Sequence, residues 1–267
     1  MITLYETLMS TCCQKVRYVL AEKNLSYKSR IINLQARENN STEYLKINPK
    51  GVVPSLVDNN HVITESNIIT QYLDEKYSAP SFMPDNPLGR AEVRLWMLLF
   101  DTDSHDNLAV ITGVFTMSRH LKSRYPTREQ RELVYTKVPD NKTRERHRDI
   151  VENGLDSERL KTALKAYLEL IQKMNMAIEK FEWLASCGLS LADVTFFPNI
   201  LRLEHLSLQE LWRDYPAFQD WYSRMKNTKG YKEGIERKLD LNYLERMASY
   251  VQEDRCRVDE ILATISR

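Results

Sequence analysis

The pattern of the first 77 residues constrains the fold most, because short apolar runs alternate there with a helical pattern. Residues Ile2–Tyr5 form an apolar run of strand length. After Ser10, apolar residues recur at helical spacing as far as Asn24. A second short strand is predicted over Lys28–Ile32. A strand, a helix and a second strand in this order are typical of an α/β unit.

A proline-containing corner and a hairpin follow. The corner occupies residues 48–54, where two prolines flank Gly51. Leu56-Val57 and Val62-Ile63 then flank the turn residues Asp58-Asn59-Asn60, which predicts a β-hairpin. A further helical pattern starts at Ser66. These elements predict a small α/β domain with a mixed sheet.

A proline-rich segment marks the end of this domain. Residues 80–87 contain three prolines, and proline disfavours helix in the residue before it. Beyond this segment the chain has long helical patterns. We therefore predict an α/β domain over 1–79, a linker over 80–87, and an all-α helical bundle domain over 88–267. This helical domain contains a charged insertion at about 119–156 and an extra C-terminal helix at about 242–265.

The charge balance excludes several classes of partner. The 38 Lys and Arg residues nearly cancel 37 Asp and Glu residues, so no chain-wide charge attracts nucleic acid or a membrane surface. Ten basic residues outnumber four acidic ones between Arg119 and Arg148. This segment is either a patch for an anionic ligand or nucleic acid, or a solvated, partly irregular insertion interrupted by Pro126 and Pro139. We predict neither a nucleic-acid nor a membrane partner.

Cysteine and histidine usage indicates a reducing compartment and no metal. The four cysteines are too few for a disulfide scaffold, and the five histidines lack metal-ligand spacing. The segment from Met1 lacks the basic start and apolar stretch of a signal peptide. No run of about 18 apolar residues indicates a transmembrane helix. We predict a cytoplasmic location and no metal site.

The most informative stretch lies where the first helix begins. Ser10, Thr11 and Cys12 stand at the junction of a strand and a helix. Unpaired N–H groups and the helix dipole stabilise anions at such a start and lower the pKa of a thiol. Ser10 or Thr11 can donate a hydrogen bond to a ligand thiolate, or Cys12 can act as a nucleophile. Alternatively, Ser10 only caps the helix and the cysteines pack as small apolar groups.

Two later positions suggest a site for an amino-acid group. A cis Val53–Pro54 bond would present the Val53 backbone to a ligand. Ser66, at the next helix start, offers a hydroxyl and an N–H group to a carboxylate, and Glu65 can receive a cationic amine. The alternative is that Ser66 only caps its helix.

Taken together, these motifs resemble those of the cytosolic glutathione transferase superfamily. Ser190-Leu-Ala-Asp193 adds the buried helix cap of that family, a capping-box variant with Asp in place of Glu. The resemblance covers about residues 2 to 235, and its strength lies in the order of the motifs. Those motifs are Leu4-Tyr5, Ser10 to Arg17, Asn48 to Pro54, Glu65-Ser66, and Tyr72 to Tyr77.

Within the superfamily, Ser10-Thr11-Cys12 is similar to the Ser-Ser-Cys motif of the zeta class. The same stretch and the long insertion resemble the bacterial tetrachlorohydroquinone reductive dehalogenases, and the lignin β-etherases share the insertion. The resemblance implies that the first domain is thioredoxin-like and binds glutathione as a co-substrate. It implies that Ser10 stabilises the thiolate and that Cys12 matches a nucleophilic cysteine, with Thr11 beside them.

The resemblance also assigns the rest of the glutathione site. The cysteinyl amide of glutathione would pair with the Val53 backbone beside a cis Pro54, and its γ-glutamyl carboxylate would lie at Ser66, with Glu65 alongside. Many members have Lys or Gln where this chain has Val52. The contact to the glycyl end then passes to another residue, either Lys50 or a residue from the helical domain.

The first long helix beyond the linker faces the electrophile pocket in this family. Candidate contacts to the second substrate are Phe100, Asp103, Ser104, His105 and Asn107. The alternative is that these residues form a kinked surface segment. The resemblance implies a homodimer and a transferase in which the glutathione thiolate attacks a small hydrophobic or aromatic electrophile. Conjugation, dehalogenation, ether cleavage and isomerisation all begin with that attack. The alternative function is a non-catalytic binding protein with the same fold.

Overall fold

The computed structural model describes residues 1–77, 79–138, 140–186 and 188–265. The predictions that involve Ser78, Pro139 and Cys187 lie outside the described residues. The strands are β1 Ile2–Glu6, β2 Tyr27–Ile31, β3 Ser55–Asp58 and β4 His61–Thr64. The first helices are α1 Thr11–Glu22, α2 Thr42–Leu45, α3 Ser66–Lys76, α4 Pro87–Leu99, α5 His105–Phe115, α6 Met117–Arg124 and α7 Arg128–Tyr135. The remaining helices are α8 Asn141–Asn153, α9 Glu158–Phe181, α10 Leu191–His205, α11 Pro216–Asn227, α12 Lys229–Gly234, α13 Leu241–Glu253 and α14 Arg255–Ile265.

The described residues form two compact units. The first contains residues 1–98, 177–200 and 217–240, and the second contains residues 99–176, 201–216 and the segment from Leu241. The domain boundaries at residues 80–87 stay a prediction. The two compact units group residues that contact one another, whereas each predicted domain is one continuous stretch of the chain.

A four-stranded mixed sheet organises the first unit. Its strand order is β2-β1-β3-β4, with β1 parallel to β2 and antiparallel to β3. Strands β3 and β4 form the predicted hairpin, whose turn residues Asn59 and Asn60 have φ angles of 49° and 69°. Asparagine tolerates this left-handed conformation better than most residues. The predicted α/β class with a mixed sheet is confirmed.

Helix α1 is the centre of the first unit. Val16, Val19 and Leu20 on this helix are fully buried. Gly234 lets α12 approach closely, because a Cβ atom there would lie 2.6 Å from the Arg17 carbonyl oxygen. The helix that presents the candidate site is therefore held by packing along most of its length.

The predicted cap at the start of α10 is confirmed. The Ser190 N–H donates to Asp193 Oδ2 (2.9 Å), and Ser190 Oγ accepts from the Ala192 N–H (3.2 Å). Asp193 also accepts from the Leu184 N–H and from Trp221 Nε1, at 3.0 and 2.9 Å. A fully buried carboxylate needs such donors, because its desolvation is otherwise costly. One acidic side chain thus joins three segments of the first unit.

The charged insertion is helical, which corrects the prediction of a partly irregular segment. It folds as α6, α7 and α8, and Thr127 begins α7 with a capping box formed with Gln130. Pro126 separates two helices instead of preventing them, since it lies in the connection between α6 and α7.

The C-terminal tail contains two helices, so the prediction of one helix over 242–265 is wrong. Helix α13 ends at Glu253, and the Asp254 carbonyl accepts from the N–H groups of Arg257 and Val258 to begin α14. Met247, Val251, Val258 and Leu262 are buried, so the apolar side chains of these two helices pack within the second unit. No helix in the described ranges is long and apolar enough to cross a membrane.

Candidate functional site

Ser10 occupies the N-cap of α1, and its hydroxyl also hydrogen-bonds the Cys13 thiol. Its backbone is extended, and its Oγ accepts a hydrogen bond from the Cys13 N–H at 3.3 Å. The capping interpretation is therefore confirmed, and it does not exclude a chemical role, because an accepting hydroxyl can still donate its own hydrogen. Thr11 is nearly buried beside it, in the first turn. The first turn of α1 thus combines a hydroxyl donor with the positive end of a helix.

The two neighbouring cysteines have different surroundings. Cys13 is fully buried, and burial raises the pKa of its thiol to about 12, although the hydrogen bond to Ser10 acts in the opposite direction. Cys12 is half-buried, and neither side chain is in a disulfide. A thiol that stays protonated at neutral pH is a poor nucleophile. Of this pair, only Cys12 is placed to react.

The corner at residues 48–54 contains backbone N–H and C=O groups that are available to a ligand. The Val53–Pro54 peptide bond is cis. The Tyr44 hydroxyl and Asn48 Nδ2 both donate to the Val52 carbonyl, at 2.7 and 2.9 Å. Within the described part of the chain, the Val53 N–H and C=O groups have no hydrogen-bond partner. Buried or half-buried peptide groups are usually paired, so Val53 is suited to an extended ligand.

The start of α3 is strained at Glu65. Glu65 has a φ angle of 64° and occupies the N-cap without capping through its side chain, so the interpretation of Ser66 as the N-cap is wrong. Ser66 is the first helical residue and its N–H points out of the helix start. A positive φ at a non-glycine residue is costly and often marks a functional position. The backbone here is arranged for an acceptor outside the helix.

Lys50 and Glu65, two candidate ligand contacts, pair with each other. Lys50 Nζ lies 2.7 Å from Glu65 Oε1, and both side chains are exposed. The hydrogen bond to Glu65 raises the pKa of Lys50 above its ordinary value. An exposed ion pair of this kind contributes little to stability and separates readily. The structure thus places the two predicted charges side by side at the start of α3.

Asn67 connects the two helix starts, and no role was predicted for it from the sequence. Lys15 Nζ on α1 donates to Asn67 Oδ1 at 2.6 Å, and both residues are buried. Asn67 directly follows Ser66, and Lys15 lies one helical turn after Thr11. The sequence carries no signal for this bond, because the partners are 52 positions apart.

The five candidate contacts to a second substrate lie in the second unit. Phe100 to Ser104 form a single turn of π-helix between α4 and α5, a distortion frequent at functional sites. Phe100 and Ser104 are buried, and the His105 ring lies 5.5 Å from that of Phe100. Asp103 and Asn107 line a cavity of about 450 Å³. The five residues therefore do not share one surface, and their assignment stays a prediction.

A metal centre has no support in the described ranges. No group of three or more His, Cys, Asp or Glu side chains there is placed to hold a metal ion.

The geometry of the first unit defines its class. A mixed sheet of order β2-β1-β3-β4, a helix directly after β1 and a cis proline ahead of β3 define a thioredoxin-like domain. Residues 4–81 match the family model for the glutathione S-transferase N-terminal domain, and residues 132–228 match the model for the glutathione S-transferase C-terminal domain. The two matches together cover well over half of the chain. The chain belongs to the glutathione S-transferase superfamily.

The relatives differ in how much of the chain they match. It is 37% identical over 108 residues to the stringent starvation protein A homologue of Pasteurella multocida, covering 40% of this chain and 50% of that protein. It is 39% identical over 112 residues to glutathione S-transferase Z1 of Arabidopsis thaliana, covering 41% of this chain and 51% of that protein. The chain thus spans about half the length of these two relatives. The crystal structure of the β-etherase LigF from Sphingobium sp. strain SYK-6 has a TM-score of 0.78, 25% identity, and coverage of 88% of this chain and 99% of that chain.

The different burial of the two cysteines predicts selective alkylation. In the native protein at pH 8, iodoacetamide is expected to modify Cys12 and the exposed Cys256 while leaving Cys13 unmodified. With a pKa of about 12, only about one Cys13 thiol in ten thousand is ionised at that pH. Peptide mass spectrometry of timed samples measures this, with the urea-unfolded protein as the control in which Cys13 must react. Equal native rates for Cys12 and Cys13 would contradict the assignment.

Proposed function

We propose that this protein is a glutathione-dependent transferase that attacks a small hydrophobic or aromatic electrophile. The observation that carries the proposal is the start of α1, where the Ser10 hydroxyl and the helix N-terminus stand beside a half-buried Cys12. The unpartnered Val53 peptide groups and the outward N–H of Ser66 support it, since a tripeptide offers an amide and a carboxylate to those groups.

The expected chemistry begins with ionisation of the glutathione thiol. A hydrogen bond from Ser10 and the dipole of α1 both favour the thiolate over the thiol. The thiolate then forms a bond to an electrophilic carbon, and the leaving group or the π-electrons depart from that carbon. Ether cleavage and dehalogenation differ in the group that leaves the attacked carbon, an alkoxide or a halide. In isomerisation the π-electrons return and the thiolate leaves again. The likeness to a β-etherase and to a zeta-class transferase is consistent with this set of reactions.

A second candidate is a glutathione-transferase-like binding protein without turnover. The likeness to the stringent starvation protein A homologue favours it, because that name states no transferase activity. The exposed Val52 also favours it, since an apolar side chain there gives no charge to the glycyl end of glutathione. We rank it second because the hydroxyl and thiol at the start of α1 are both present.

Retention on immobilised glutathione followed by assays with chlorinated, nitroaromatic and β-aryl ether substrates tests the proposal. The transferase is expected to bind the resin, elute with free glutathione and consume glutathione with at least one class of electrophile. Retention without turnover on any class would favour the binding protein. Failure to bind, with no heat detected calorimetrically at millimolar glutathione, would reject both.

Replacement of Ser10 is expected to change ionisation more than binding. Ser10→Ala removes one hydrogen bond to a charged sulfur, which is worth about 1.5–3 kcal/mol and corresponds to about one to two pKa units. The thiol pKa of bound glutathione, read from thiolate absorbance or from the pH–rate profile, should rise by that amount with a nearly unchanged Kd.

The matched variant is Cys12→Ser, which retains a polar group of similar size. It should abolish any step through a mixed disulfide and spare simple conjugation. An unchanged pH–rate profile in Ser10→Ala would assign thiolate stabilisation to another donor.

We also propose that the chain forms a homodimer, through α4. Leu88, Leu95 and Leu98 are 72%, 66% and 56% exposed. Their spacing of seven and three residues places them on one face of α4. A row of exposed leucines on a single helix is typical of an interface. A second copy of the chain is the partner that the family resemblance implies, and the cytoplasm is the proposed location.

A charge within this leucine row should separate the protomers. Leu95→Glu is expected to convert a dimer to a monomer in sedimentation velocity at micromolar concentration, because it places a carboxylate in a buried apolar contact. Leu133→Glu on α7 is the matched control, since Leu133 is equally exposed, at 67%. A dimer that persists in Leu95→Glu, or dissociation in both variants, would count against the α4 interface.

A further inference from the structure

A buried polar cluster joins the two helix starts of the proposed glutathione site. Asn67 Oδ1 accepts from Lys15 Nζ on α1 at 2.6 Å and from Thr195 Oγ1 on α10 at 3.2 Å. Asn67 Nδ2 donates to the Met97 carbonyl on α4 at 3.1 Å. Lys15, Asn67 and Thr195 are each at most 2% exposed. One amide side chain therefore fixes the start of α3 against three other helices.

Burial of the Lys15 ammonium group carries a large free-energy cost, although the group joins two helices. Transfer of a cation from water into a protein interior is strongly unfavourable, and apolar side chains of similar size often serve stability better. The exposed surface of the first unit offers less costly positions for a lysine. The position of Lys15 therefore calls for an explanation beyond packing.

The location of the cluster provides that explanation. Side chains four residues apart on a helix have Cβ atoms about 5–6 Å apart, so Lys15 is the neighbour of Thr11 on the surface of α1. At its other end the cluster reaches Asn67, whose predecessor is Ser66. The hydrogen bond between Lys15 and Asn67 thus spans the interval between the proposed thiol position and the proposed carboxylate position.

We propose that Lys15 and Asn67 are a positioning pair, which sets the distance between the two helix starts that hold the ends of glutathione. This inference rests on the proposed function. Neither residue needs to touch the tripeptide. In glutathione the thiol and the carboxylate are separated by a fixed stretch of chain. The tripeptide therefore binds well only where the two helix starts are correctly spaced, since a wrong spacing loses one of the two contacts.

The test separates positioning from a purely structural role by a double-mutant cycle. Lys15→Met and Asn67→Leu each remove one partner of a buried hydrogen bond, so both should lower the free energy of unfolding. The double variant removes the bond with apolar groups of similar size and should be destabilised by less than the sum of the single variants. Urea unfolding measures stability, and calorimetry with glutathione measures Kd.

The positioning role predicts that the double variant recovers stability without recovering affinity. Its Kd for glutathione should stay raised by about tenfold or more, corresponding to about 1.4 kcal/mol of binding free energy. The control is Thr70→Val, since Thr70 is equally buried on α3 and its hydroxyl donates to the Asn67 backbone carbonyl, not to the Asn67 side chain. Glutathione affinity should change by less than about twofold in this control.

Each result has a defined consequence. Recovery of both stability and affinity in the double variant would show that the pair only supports the fold, and unchanged affinity in the single variants would also overturn the inference. Both results leave the proposed function intact, whereas a wild-type chain that binds no glutathione rejects both proposals. Should these variants not fold, Lys15→Gln decides, because it shortens the side chain that donates to Asn67 while keeping a polar donor, and unchanged affinity there overturns the inference.

Discussion

The ion pair between Arg17 and Glu6 is the interaction on which the first unit depends most. Both side chains are fully buried, with Arg17 Nη1 2.5 Å from Glu6 Oε2. Arg17 also donates to the carbonyls of Leu8 and Gly234, at 2.7 and 2.8 Å, and Ser29 donates to Glu6. Removal of either charge would leave the other buried without its partner, which typically costs about 3–5 kcal/mol. One guanidinium thereby joins β1, the loop before α1, α1 itself and the end of α12.

This constraint bears on the chemistry that we propose for the start of α1. The hydrogen bond to the Leu8 carbonyl restrains the loop that ends at the N-cap residue Ser10. Burial of α1 along its length also keeps Cys13 protonated, whereas Cys12 lies on the half-exposed side. Preorganised donors stabilise a developing charge without further rearrangement. The selectivity between two adjacent thiols therefore follows from packing, not from the thiols themselves.

The sequence predicted what depends on local pattern and missed what depends on distant partners. The strands, the hairpin and the cap at Ser190 and Asp193 were predicted because periodicity, turn residues and capping chemistry act over a few positions. The tail was predicted as one helix, because a carbonyl cap such as that of Asp254 has no residue signature. The Lys15–Asn67 bond was missed for a different reason: it depends on how α1 and α3 pack, which no local pattern encodes.

The charged insertion also shows that a local pattern does not predict contacts between distant residues. Counted along the chain, the segment has an excess of basic residues, which favours an anion-binding patch. In the folded second unit several of those charges have partners: Arg131 pairs with Glu152, Arg148 with Glu132, and Arg119 with Asp254. Asp254 comes from the C-terminal tail, so this last pair ties the insertion region to the segment that covers the unit. A count of charges cannot distinguish an exposed patch from a set of ion pairs, and only the pairing decides which surface a partner would meet.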